Sequence, residues 1–254
     1  MPGLLSGTQG ALTINTADVA DDAITLAKMA PGTDGQIITY DASGNPSAVG
    51  PGTDGQVLTS TGAGSPPAFE AIPGGGAWTL IGTQVGDGGS SITQTGLDVS
   101  TYDAFGIIFS GMRPSSDDVT PQIQFGDSSG IDTGGSDYSF GTLQYDSGDG
   151  SSITRQGSTG SATIDLEGQD ATTDRVGSAA GEGWSANATL HIGSTGMFPH
   201  IHGTGFYRTA QPHPRTALFS GSRLSQIVVD RILFKFSSGN VASGRMTTYG
   251  IKHT

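Results

Sequence analysis

Two histidines, His200 and His202, lie one residue apart in the segment HIHGTGFY at 200–207. In an extended strand, alternate side chains point to the same face, so the two imidazoles would lie side by side. If three chains met at that face, six ring nitrogens could surround one octahedral metal ion. The alternative is an ordinary pair of surface or core histidines beside Pro199 and Gly203. We favour this alternative, so the sequence predicts no metal site.

Carboxylates cluster in two stretches rich in Ser and Gly. Asp127, Asp132 and Asp137 share residues 127–137, and Asp146 and Asp149 share residues 146–160. Carboxylate oxygens suit a hard cation such as calcium, but no twelve-residue EF-hand pattern is present. We therefore interpret both stretches as solvated acidic loops.

The chain contains little that is typical of an enzyme. It has no cysteine and no Gly-x-Ser-x-Gly elbow between a strand and a helix. The sequence leaves open whether two carboxylates pair for glycan cleavage, because it does not give distances in space. Overall, the sequence predicts no catalytic residue, no enzymatic activity and no cofactor.

Aromatic side chains suggest a receptor-binding surface instead. An aromatic ring can pack on the apolar face of a sugar while loop amides and carboxylates bond its hydroxyls. The predicted receptor-binding residues are Tyr138, Tyr145, Trp184 and Tyr207. The alternative is that each of them is a core residue of a strand. Trp78 opens the first strand of the second half and is predicted to pack in the core or at the junction.

Composition and charge exclude several classes of partner. The 254 residues carry a formal net charge of −12, which argues against nucleic acid and against anionic lipid surfaces. No run approaches the length of a membrane-spanning helix, and residues 1–20 do not resemble a signal peptide. With 42 glycines and only 13% charged residues, the chain favours turns and short strands over long helices.

The elements that would position these side chains are short strands. The pattern from Ala77 onwards predicts strands at 77–85, 90–96, 104–111, 120–126, 138–145, 161–166, 184–192, 200–207, 215–221, 226–236 and 244–252. A β-bulge is expected near Asp230 and Arg231. Such a succession predicts a mostly β fold, with a C-terminal antiparallel β-sandwich that is jelly-roll-like.

The first part of the chain has a different organisation. Residues 1–30 are predicted to form an extended N-terminal arm, with one short helix over 17–30. A tandem repeat of twenty residues follows at 31–50 and 51–70, and a Gly-rich linker, Pro73–Gly76, ends it. We therefore divide the chain into an arm at 1–30, a repeat stalk at 31–76 and a β domain at 77–254.

The two repeats share Pro-Gly-Thr-Asp-Gly-Gln, two aliphatic residues and a threonine, so each unit predicts a turn, a short strand and another turn. An isolated short strand or hairpin is marginally stable in water and needs a partner. Because there are only two copies, the expected partners are other chains.

These segments resemble parts of bacteriophage tail fibres and related virion proteins. The copies GTDGQIITYDASGNPSAVG and GTDGQVLTSTGAGSPPAFEAI resemble the connector G-x-x-G-Q-V-L-T-S-x-G-x-G-x-x-P-x-F of those proteins, and DDAITLAKMA resembles another of their units. AWTLIGTQ, YDAFGIIFSGMRPSSD, GSDYSF and the ending FSSGNVASGRMTTYGIK resemble a fibre-tip or appendage domain.

The resemblance implies a homotrimer that is made in the host cytoplasm and incorporated into the virion. Its N-terminal region would anchor to other virion proteins, and its β domain would meet a host-surface glycan or protein. Many fibres have long shafts, whereas this chain has two repeats, so it resembles a short fibre. A head fibre or decoration protein on the capsid is an alternative. A glycan-degrading tailspike is another, although such proteins usually need a long β-helix.

Overall fold

The computed structural model describes residues 15–20, 23, 31–71, 78–146, 153–168, 175–192, 197–209 and 214–252. The chain divides into two compact units, Met1–Gly74 and Gly75–Thr254. The predicted linker at 73–76 and most of the predicted arm at 1–30 lie outside the described residues. Within that arm, Thr16–Asp18 form one turn of 3-10 helix where the start of an α-helix was predicted.

The described part of the first unit contains two β-hairpins, one for each repeat. Strands β1 (Ile37–Tyr40) and β2 (Pro46–Val49) pair antiparallel, as do β3 (Gln56–Thr59) and β4 (Ala68–Ala71). The sequence predicts the first strand of each unit but not the second. The second strands were missed because Pro46 and the Pro66-Pro67 pair indicate a turn.

The shared Thr-Asp-Gly-Gln segment forms the same turn twice. In each copy, the glutamine side-chain oxygen accepts a hydrogen bond of 2.7 Å from the threonine backbone N–H. The glycine of the turn has a φ of 78° at Gly35 and 84° at Gly55. Glycine adopts this left-handed region without the steric cost that a Cβ imposes, which explains its place in both copies.

The two hairpins have no buried interior. No residue of 31–71 is buried, and aliphatic or aromatic side chains such as Ile38, Tyr40 and Leu58 are exposed. The register places Ile38 opposite Ala48 and Leu58 opposite Phe69. Each hairpin therefore presents an apolar face, which supports the expectation that the repeats need a partner.

The second unit consists of two antiparallel sheets, as expected for a β-sandwich. The larger sheet has the order β11-β10-β15-β14-β13-β7-β17-β5. Its strands are β5 (Trp78–Val85), β7 (Ala104–Pro114), β10 (Tyr138–Asp146), β11 (Ile153–Ser161), β13 (Gly183–His191), β14 (His200–Arg208), β15 (Pro214–Arg223) and β17 (Val241–Ile251).

The smaller sheet has the order β12-β8-β16-β6, with β9 paired to β8. Its strands are β6 (Ser91–Thr95), β8 (Pro121–Asp127), β9 (Gly130–Ile131), β12 (Ile164–Asp165) and β16 (Arg231–Phe236). Sheets of eight and five strands differ from the two-Greek-key, eight-stranded arrangement of a jelly roll, so that finer expectation is wrong.

The core lies between the inner faces of the two sheets. Trp184 of β13 stacks on Phe234 of β16 at 5.6 Å between ring centroids, and Phe109 of β7 contacts both rings at 5.0 and 5.3 Å. The inward positions alternate along most strands, as Ile232, Phe234 and Phe236 show in β16. This alternation explains why most strands could be predicted.

One loop prediction and one strand prediction in the β domain need correction. Residues 146–160 were predicted to be a loop, but Ile153–Ser161 form β11 at the edge of the larger sheet. This edge strand pairs with β10 through its backbone, so it needs no apolar alternation. The strand predicted over 226–236 begins only at Arg231, which is where a bulge was expected.

Among the described residues, no helix has the length and apolar character needed to cross a bilayer.

Candidate functional site

Three of the four predicted receptor-binding aromatics are buried. The side chains of Tyr138, Trp184 and Tyr207 are at most 1% exposed and belong to the core between the sheets. A buried ring offers no face to a sugar, so the structure corrects the prediction for these three. Tyr145 is 46% exposed and remains a candidate.

Hydrogen bonds explain why two of these polar aromatics can be buried. The Tyr138 hydroxyl accepts a hydrogen bond from the backbone N–H of Phe125 at 2.9 Å and lies 3.0 Å from the Asp132 carbonyl. The Tyr207 hydroxyl lies within hydrogen-bonding distance of the Gln144 amide. Burial is the main reason why the pKa of Tyr138 is raised above its ordinary value.

Tyr145 points to the outer face of the larger sheet, the side that faces away from the five-stranded sheet. Two cross-strand rows run over all eight strands of this face. The first row is Arg155, Leu143, Leu218, Thr204, Asn187, Ile108, Thr247 and Thr83. The second row is Gly157, Gly141, Ser220, His202, Thr189, Gly106, Tyr249 and Leu80.

Small residues in the second row leave a groove across the strands. One depression of about 590 Å³ is lined by Arg155, Leu143, Leu218 and His202 among others. A second, of about 360 Å³, extends from His202 to Trp78. Because His202, Gly203 and Thr204 line both depressions, we treat them together as one shallow feature, the cross-strand groove.

Trp78 closes one end of the groove. Its indole ring lies against the Cα of Gly106, where any Cβ would overlap the ring, and 5.8 Å from the Tyr249 ring. The residue is still 52% exposed, so the expectation that Trp78 packs in the core is wrong, while the alternative that it packs at the junction stays a prediction. An aromatic ring held on one side and open on the other is a suitable platform for the apolar face of a sugar.

The outer face carries positive charge in a strongly acidic protein. The eight strands contain one carboxylate, Asp146, which pairs with the inward-pointing Arg215 at 2.7 Å. The exposed side chains of Arg155, Arg208 and Arg245 form no hydrogen bond or ion pair with any described residue. The outer face therefore presents unpaired cations, although the chain as a whole has a net charge of −12.

Three histidines lie together beside the groove. His200 and His202 share the outer face of β14, as their spacing predicts. His191 of β13 lies opposite His200, with its ring centroid 4.8 Å from that of His200 and 5.3 Å from that of His202. The His191 and His202 Nε2 atoms are 3.2 Å apart, while the ring centroids are 5.3 Å apart, so the two rings meet edge to edge. One ring nitrogen must donate a proton and the other must accept it.

The structure does not assemble a metal site from these histidines or from the acidic stretches. Within the described ranges, no group of three or more His, Cys, Asp or Glu side chains is arranged to hold a metal ion. Asp132 and Asp137 instead bind Arg223, at 2.8 and 3.4 Å. The loop predicted at 127–137 contains the short strand β9 and keeps exposed residues at 128–129 and 133–136, but two of its carboxylates are held in an ion-pair network rather than being free in solvent.

A separate polar cluster lies inside the sandwich, around Glu167. Its side chain is buried, and neither carboxyl oxygen accepts a hydrogen bond from a described residue. Burial raises the pKa of Glu167 well above its ordinary value, against the lowering influence of the nearby Thr120 hydroxyl and Arg175. Burial also raises the pKa of Asp165. Neither carboxyl lines the cross-strand groove, so they do not form a catalytic pair there.

This burial predicts a pH dependence of stability. Glu167 keeps its proton to a higher pH in the folded chain than in the unfolded chain. Between the two pKa values the folded state binds more protons, so the free energy of unfolding falls as the pH rises. We expect Glu167→Gln to raise the thermal midpoint at pH 8 and to have little effect below about pH 4, where the carboxyl is protonated in both states.

Thermal unfolding of both proteins across this pH range measures the effect. The partly exposed Glu182, which accepts a hydrogen bond from the Ala179 N–H, provides the matched control. Glu182→Gln should change the midpoint little at any pH. A Glu167→Gln variant that is less stable than the parent at pH 8 would show that the carboxylate is ionised and stabilising.

Comparison of the chain with protein-family models, with curated proteins and with solved structures finds no match. The site is therefore described by its own geometry: a groove across strands, an aromatic platform at one end, an arginine at the other and hydroxyl groups between them.

Proposed function

We propose that this chain is a structural component of a bacteriophage virion, a short tail-fibre-like appendage. Its N-terminal region anchors to other virion proteins, its repeats assemble three copies, and its β-rich domain adsorbs to the host surface. The resemblance of the repeats and of the C-terminal segments to fibre proteins supports the proposal.

The observation that carries the proposal is the exposed apolar surface of the two hairpins. Residues 31–71 contain no buried side chain, and Ile38 and Leu58 occupy equivalent exposed positions in the two repeats. A soluble hairpin with an uncovered apolar face is only marginally stable. Packing against copies of itself would cover these side chains and pair the open strand edges.

Sedimentation of the full chain at micromolar concentration tests the assembly. We expect a species of three chains. The double variant Ile38→Asp with Leu58→Asp should sediment as a single chain, because each buried unpaired carboxylate opposes association by several kcal/mol.

Leu143→Asp, the same change on the outer face of the larger sheet, is the control and should leave the trimer intact. A parent chain that sediments as a monomer would overturn the proposed assembly. Dissociation by Leu143→Asp, with no effect of the repeat double variant, would place the interface on the β domain and would also contradict the role of the repeats.

A further inference from the structure

We propose that the cross-strand groove binds an acidic polysaccharide. This inference deepens the proposed function, on which it rests, because it names the chemical class of surface ligand and the place where the ligand binds.

The charge of the outer face argues for an anionic ligand. Arg155 lines the groove, Arg208 and Arg245 lie on the same face, and none of the three is paired with a described residue. No carboxylate points outwards from the eight strands themselves, and the carboxylate that shares a depression with Arg208 is Glu182, which precedes β13 and does not line the groove. An arginine guanidinium binds carboxylate or phosphate through two parallel hydrogen bonds, so both kinds of anionic group fit.

The remaining groups of the groove argue for a sugar rather than for another polyanion. Trp78 provides an exposed ring, and Thr204, Ser220 and Asn187 provide neutral hydrogen-bonding groups in the two central rows. Hydroxyl and amide groups of this kind are suited to the hydroxyls of a pyranose. Among the described residues that line the two depressions, Trp78 alone offers an exposed aromatic ring, whereas a single-stranded nucleic acid requires a row of stacking rings.

The shape of the groove argues for a chain rather than for a single small molecule. The groove runs perpendicular to the strands, from Arg155 on β11 to the Trp78 ring, which lies over Gly106 on β7. Six strands at about 4.8 Å between neighbours span about 24 Å. An open feature of this length accommodates several linked sugars, which can reach Arg155 and Trp78 at the same time.

A second copy of the chain is a less suitable occupant. Two copies that met at this face would oppose unpaired arginines with few carboxylates to receive them. The sedimentation of Leu143→Asp described above tests directly whether a second copy occupies the groove. Leu143 lines the groove, so the substitution would disrupt such an interface.

Calorimetric titration of the full chain at low salt tests the inference. The probes are polygalacturonate, which carries carboxylates, phosphomannan, which carries phosphates, neutral dextran, and a short oligothymidylate. We expect binding to one or both acidic polysaccharides and no binding to dextran. The two acidic probes distinguish a carboxylate ligand from a phosphate ligand.

Two substitutions locate the ligand. Arg155→Gln should weaken binding about tenfold, because a charge-assisted hydrogen bond is lost. Trp78→Ala should weaken binding about three- to tenfold, through the loss of ring contact. Arg231→Gln removes the same charge from the smaller sheet and should leave affinity unchanged. Thermal unfolding of each variant checks that the fold is retained.

Three results would overturn the inference: binding to neither acidic polysaccharide, equal or tighter binding of dextran or oligothymidylate, or equal effects of Arg155→Gln and Arg231→Gln. The sedimentation experiment separates this failure from failure of the proposed function. A trimer that binds no acidic polysaccharide contradicts the ligand class alone, whereas a monomer that binds one contradicts the assembly alone.

Discussion

Trp184→Ala is expected to lower the free energy of unfolding by about 3–5 kcal/mol, the usual cost of removing a large buried aromatic side chain. The indole ring stacks on Phe234 of the opposite sheet and also contacts Phe109 and Phe219. Its removal would leave a cavity between the sheets that the surrounding strands cannot close. Urea denaturation followed by fluorescence or circular dichroism measures the loss.

Tyr145→Ala is the matched comparison, because both residues were predicted to bind a receptor. Tyr145 lies on the outer face and is 46% exposed, so its removal should cost less than about 1 kcal/mol. A small effect of Trp184→Ala, or a large effect of Tyr145→Ala, would show that the two sheets do not pack through Trp184 in the way described.

Most strands of the β domain could be predicted because their inward side chains alternate. The strand at 184–192 is an example: Trp184, Ala186, Ala188 and Leu190 all face the core. The sequence could not predict β11, because its residues are mainly Ser, Thr and Gly. This strand forms through its backbone pairing with β10. Nor could the sequence predict the distribution of strands between sheets of eight and five, which is set by pairings far apart in the chain.

The site was harder to predict than the fold. The spacing of His200 and His202 correctly predicts a shared face, because that inference needs only one strand. The groove depends on register among eight strands, so nothing local indicates that Arg155, His202 and Trp78 share it. The aromatic candidates failed for a related reason: a strand pattern gives the alternation of faces but not which face is covered by a second sheet.

One signal for Trp78 was present in the sequence but needed the structure to be understood. Gly106 interrupts the apolar strand AFGIIFSG, and a glycine within a strand often marks a place where another group approaches closely. The Trp78 ring is that group, and it crosses β17 to reach Gly106. A glycine alone does not identify its neighbour, so the platform could not be assigned before the sheet order was known.

The ion pair between Arg215 and Asp146 is expected to be as important for stability as the aromatic core. The Arg215 side chain is 3% exposed and lies 2.7 Å from the Asp146 carboxylate, which is 17% exposed. Arg215→Met removes the cation that pairs with the half-buried Asp146 carboxylate and that also lies near the buried Glu167. Loss of one partner of a buried pair typically costs about 3–5 kcal/mol, and we expect a cost in this range.

A double-mutant cycle separates the pair from the burial of its members. Replacing both residues, Arg215→Met with Asp146→Leu, should recover most of the lost stability, because two apolar side chains need no counter-charge. The more exposed pair of Arg231 and Asp230 provides the reference: Arg231→Met should lower the free energy of unfolding far less than Arg215→Met, because water solvates and screens this pair. Equal costs for Arg215→Met and Arg231→Met in urea denaturation would mean that solvent screens both pairs alike. The interior position of Arg215, and with it the account of the polar cluster between the sheets, would then be wrong.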